Sequence, residues 1–106
     1  MRLDDRFTER VNWTGVVPLA EFLAEWEKAS ADRAYVPVGG DSSEAAAERF
    51  LDALGDLAAT TDGAVVVVAH GGVTTDVLRT LLGDDEVEAR APDLMADGVP
   101  SCAVTT

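Results

Sequence analysis

Histidine, cysteine and lysine each occur once in these 106 residues, as His70, Cys102 and Lys28. A single cysteine excludes an internal disulfide and fits a reducing, cytoplasmic setting. One His and one Cys, without ligand spacing of the zinc type, argue against a metal centre, and no cofactor is expected. Asp84-Asp85-Glu86 reads as a solvated acidic loop rather than a cation site. Positive charge is scarce: 8 basic side chains face 20 acidic ones, a net charge of −12. That balance excludes nucleic acid and an anionic membrane surface as partners held by bulk electrostatics. It also works against an anionic small substrate, unless local groups overcome the field. No apolar run is longer than Ala64 to Ala69, far too short to span a bilayer. Met1 to Arg6 lacks the apolar core of a signal peptide. No Gly-x-Ser-x-Gly elbow occurs, which disfavours a serine hydrolase. Nothing basic flanks Cys102 in sequence, so a buried structural thiol is expected there.

The apolar content is 47%. That is too high and too clustered for a disordered chain, and the length suits one small domain over residues 1–106. Residues 1–17 are polar and irregular. Pro18 opens a helix over 18–30, with Leu19, Phe22, Leu23 and Trp26 at helical spacing; Phe22 and Trp26 are expected to pack in the core. Residues 31–42 form a connector. A helix over 43–59 follows, with Ala47, Phe50, Leu51, Leu54, Leu57 and Ala58 as its stripe, capped by Asp41 (with Glu44 as a capping box) or by Ser42. The unalternating valines of Ala64–Ala69 predict a strand buried on both faces. A further helix runs from His70-Gly71-Gly72 to Gly83, with Val73, Val77, Leu78, Leu81 and Leu82 on one face. Residues 84–98 are loop-like with a short helix near 92–96, and 101–106 form a final strand. Helix and strand in alternation predict an α/β layer fold.

His70 stands where the valine strand ends and a helix begins, the place where open α/β sheets bind ligands. The helix N-terminus offers free N–H groups and positive dipole charge, and Gly71 and Gly72 let a ligand approach the backbone. A phosphate group suits that geometry. The plainer alternative is a hydrogen-bonded structural histidine followed by ordinary turn glycines.

The run Ala64–Val73, followed by Leu78-Arg79 and Leu81-Leu82-Gly83, resembles the second-histidine motif of the histidine phosphatase (phosphoglycerate mutase-like) family. Asp5-Arg6-Phe7-Thr8-Glu9-Arg10 with Trp13 and Gly15 is similar to the family's middle motif. Gly40-Asp41-Ser42 resembles its Gly–Glu–Ser segment, and Pro100–Thr105 its closing strand. The resemblance implies a three-layer sandwich with a mostly parallel sheet. It also implies hydrolysis of a phosphomonoester, or transfer of its phosphoryl group, through a phosphohistidine without a metal. Within that scheme His70 is the second histidine, which stabilises phosphoryl oxygens, with the Gly71 N–H as a backbone donor. Glu9 is the acid that protonates the leaving oxygen. Arg10 is a substrate contact, and Arg6 lies on the approach to the site. For both arginines a surface ion pair is the plainer alternative.

The family's Arg–His–Gly strand, which carries the nucleophile, has no counterpart in this sequence. The resemblance therefore implies an N-terminally truncated domain, through a late start codon, gene decay or completion by another chain. A missing strand leaves an apolar strip and an unpaired sheet edge, through which the chain is expected to form a homo-oligomer. The expected partner is a small phosphorylated substrate. The alternative is a non-catalytic phosphate-binding pseudoenzyme or interaction module.

Overall fold

A computed structural model describes residues 1–100 and 103–105. Five helices account for its regular structure, after one 3-10 turn at Asp5–Phe7: α1 Leu19–Ala31, α2 Ser43–Thr60, α3 Gly71–Leu82, α4 Asp84–Arg90 and α5 Pro92–Asp97. Pro18 serves as the N-cap of α1, where its carbonyl accepts from the N–H groups of Glu21 and Phe22 at 3.0 and 3.2 Å. The cap of α2 is Ser42, whose hydroxyl accepts from the Ala45 N–H at 3.1 Å. Asp41 is held instead by Arg49, Nε to Oδ2 3.0 Å. Gly83, at φ +84°, ends α3 in a backbone region open to glycine, and α4 starts on the next residue.

The core is small and built by α2 and α3. Ala46, Ala47 and Phe50 of α2 pack against Val73 and Val77 of α3. Alanines on the inner face of α2 let the two helices approach closely. Phe7 closes one side, its ring edge-on to Phe50 with centroids 4.8 Å apart. Phe22 and Trp26 are half-buried at the flank of α1 rather than in this core.

The expected α/β sandwich is overturned: no strand and no sheet form among the described residues. A strand exists only where a second extended segment supplies its ladder, and no described segment pairs with residues 64–69 in that way. The valine run is a ribbon without a strand partner among the described residues. Val67 and Ala69 pack against the core, whereas Val66 and Val68 are 87% and 88% exposed. The ribbon is therefore covered on one side and not on two. In the expected closing strand, Ser101, Cys102 and Thr106 lie outside the described residues, and 103–105 carry no regular structure. The short helix expected near 92–96 is α5, whereas the loop expected before it is corrected to α4 over 84–90. Asp84, Asp85 and Glu86 occupy the first turn of α4, where negative charge meets the positive end of the helix dipole. No helix among the described residues is long and apolar enough to cross a membrane.

Candidate functional site

The first turn of α3 is the centre of the site. His70 is its N-cap, extended at φ −107° and ψ 158°, and its side chain makes no capping bond. Its carbonyl accepts from the N–H and the hydroxyl of Thr74, at 3.2 and 2.9 Å. The imidazole is exposed. It stands between a pocket of about 530 Å³, bounded by the N-terminal segment and the valine ribbon, and one of about 350 Å³ beside Phe50, Thr74 and Pro100.

The capping position that His70 leaves unfilled is filled from 64 residues away. Glu9 Oε1 accepts from the Val73 N–H at 2.6 Å. A carboxylate on an unsatisfied helix N–H is a charge-assisted bond placed at the favourable end of the dipole. Burial nevertheless dominates and pushes the Glu9 carboxyl above its ordinary value, against the pull of the Val73 N–H and the His70 ring. The site thus sets the Glu9 carboxyl, raised above its ordinary value, on the turn that His70 begins.

Both glycines of the motif have a packing role. A Cβ on Gly72 would meet Glu9 Oε2 and the Trp26 ring, and one on Gly71 would lie 2.8 Å from the Val99 carbonyl. The close approach expected for a ligand is made by the chain itself.

Arg49 of α2 brings Glu9 into place. Its Nη1 donates to the carbonyls of Arg6 and Thr8 at 2.9 and 2.7 Å, and its Nη2 to that of Glu9 at 2.8 Å. Arg6 points the other way, paired with Asp4 and Asp56 at 2.8 and 2.6 Å. The Arg6 guanidinium holds Asp4 down to about 2. Arg6 is therefore in the surface ion pair given above as its plainer alternative. Arg10 is buried, and its Nη1 lies 2.8 Å from Asp76 Oδ1 in a pair that is 3% and 0% exposed. Its guanidinium stacks 4.0 Å over the Trp26 ring.

Asp76, Ser43, Arg33 and Arg49 surround these residues and were not singled out from the sequence. The signal for Asp76 was present: an acid three residues after Val73 and next to Val77 interrupts the apolar face of α3. Beyond Gly71 and Gly72, a groove of about 760 Å³ runs between α1, α3 and α5, with Arg10 and Trp26 in its wall. No cluster of three His, Cys, Asp or Glu side chains with metal-binding geometry occurs among the described residues.

No curated protein and no solved structure shows significant similarity to the chain. A family model does: residues 2–104 match the histidine phosphatase superfamily (branch 1), and the chain belongs to that superfamily.

Proposed function

We propose that this chain carries the oxyanion-handling half of a phosphomonoester site. His70 stabilises the phosphoryl oxygens, with the Gly71 N–H beside it, and Glu9 is the acid that protonates the leaving oxygen. The observation that carries this reading is the seat of the Glu9 carboxyl on the turn that His70 begins. A general acid must hold a proton near the working pH, and the burial of Glu9 moves it in that direction. The substrate class is a small phosphorylated molecule, and the overall reaction is hydrolysis or phosphoryl transfer, as in the superfamily. With His70 acting on the equatorial oxygens, the nucleophile is not among these 106 residues, because the sequence has no second histidine.

The test is a titration of the full chain with inorganic phosphate, followed by amide and imidazole NMR signals. Saturable shifts are expected at His70 and at Gly71 to Val73. They strengthen as pH falls through the Glu9 titration, because a neutral Glu9 no longer repels the anion. The reading fails if these signals stay still at every pH, or if His70→Ala leaves the shifts unchanged.

The single histidine also favours a second reading, a phosphate-binding module without turnover. The chain assayed on an aryl phosphate in EDTA is then expected to show none. Turnover abolished by His70→Ala would overturn that second reading and make His70 the nucleophile.

A further inference from the structure

Glu9 and Arg10 are chain neighbours, yet α3 receives them one turn apart. Glu9 bonds the Val73 N–H at 2.6 Å, and Arg10 bonds Asp76 Oδ1 at 2.8 Å. Asp76 is fully buried, and the same Oδ1 accepts from the Ser43 hydroxyl of α2 at 2.6 Å. Arg33, in the connector, donates to the Asp76 carbonyl at 2.8 Å and to Ser43 Oγ at 3.0 Å. On the other side, Arg10 Nη2 donates to the Ser30 hydroxyl of α1. One buried knot thus joins three helices to the segment that bears Glu9.

That knot is a poor device for stability alone. Asp76 Oδ2 and Arg10 Nε are buried without a partner among the described residues. Desolvation of a buried ion pair consumes most of its Coulombic gain, and an apolar pair of similar volume commonly serves as well. What an apolar pair cannot do is direct a guanidinium. Arg10 is adjacent to Glu9, and a free arginine there would turn onto the carboxylate and hold it ionised.

We propose that Asp76 is the positioning residue of this site: it draws Arg10 down α3, which seats the Glu9 carboxyl on the first turn and denies it an arginine partner. The proposal rests on Glu9 being the acid of the site. The groups that face Glu9 agree with it. From α3 and its N-cap come Asp76, which pushes the carboxyl up, and His70, which pulls it down; Arg10 of its own segment pulls it down. Arg49 of α2 is engaged with the Glu9 carbonyl, and α1 presents the uncharged Trp26.

The experiment uses the full chain and reads two quantities by NMR: the titration midpoint of the Glu9 carboxyl carbon and the hydrogen-exchange rate of the Val73 amide. In Asp76→Asn the Glu9 midpoint is expected to fall by about 1 pH unit or more below that of the double variant Arg10→Met/Asp76→Leu, which also lacks the Asp76 charge but releases no arginine towards Glu9. In that double variant an apolar pair maintains the fold, checked by its melting curve. The Val73 amide is there expected to exchange about tenfold faster, equal to about 1.4 kcal/mol of lost protection, or more. A folded Asp76→Asn with the double variant's Glu9 midpoint overturns the proposal. So does a folded double variant with the wild-type Val73 exchange rate, and that measurement decides alone if Asp76→Asn does not fold. If phosphate fails to shift the His70 signals while the Glu9 midpoint moves as expected, the proposed function fails and the positioning stands.

Discussion

At the residue scale, Gly72 sets how closely the Glu9 segment approaches α3. A methyl group there would collide with Glu9 Oε2 and come within 2.6 Å of the Trp26 ring. Gly72→Ala is therefore expected to destabilise by about 1–3 kcal/mol, as overpacking does. Gly55, inside α2 with no described atom within 4 Å of its Cβ position, gives the opposite expectation. Gly55→Ala should stabilise by about 0.5–1 kcal/mol, and thermal melting of the two variants beside the wild type checks both signs. Glu9 itself makes stability depend on pH. Its folded pKa is raised, mainly by burial, so its contribution is full below the unfolded value of about 4.3 and is lost as pH rises through the folded value. Glu9→Gln imitates the protonated form. It should match the wild type near pH 4 and exceed it at pH 8, read as a higher urea midpoint. His70 and Glu9 were legible because motif order singles them out. Asp76 was not, because its meaning depends on Arg10 and Ser43, which are 66 and 33 residues distant in sequence.

At the scale of elements, local chemistry was a good guide to helices and a poor one to strands. The predicted span 43–59 and the observed α2, Ser43–Thr60, differ by a single residue. Helix hydrogen bonds are internal, and the apolar stripe and cap are written locally. Removing the cap tests this: Ser42→Ala is expected to cost about 1 kcal/mol, read as a lower urea midpoint at unchanged slope. The valine run has strong strand propensity, but propensity cannot supply a neighbour, and the ribbon has none among the described residues. The acidic stretch at 84–90 was misread for another reason. Three acids in succession resemble a solvated loop, yet in a first turn they favour a helix.

At the scale of the whole molecule, exposed apolar surface and net charge oppose one another. Leu3, Val66 and Val68 are at least 85% exposed, and the ribbon has no strand partner among the described residues. The charge of −12 resists a second copy. Salt screens that repulsion and leaves the apolar attraction intact. Association is therefore expected to rise with both ionic strength and concentration in sedimentation velocity, and Val68→Lys should suppress it. A monomer under all those conditions would refute the expectation. Side chains two apart in an extended ribbon share a side, so His70 faces outward with Val66 and Val68. Whatever shelters those valines also shelters the ring. Acylation of the imidazole by diethyl pyrocarbonate then becomes an optical gauge of how much of the ribbon is occupied, needing no label because no other histidine competes for the reagent.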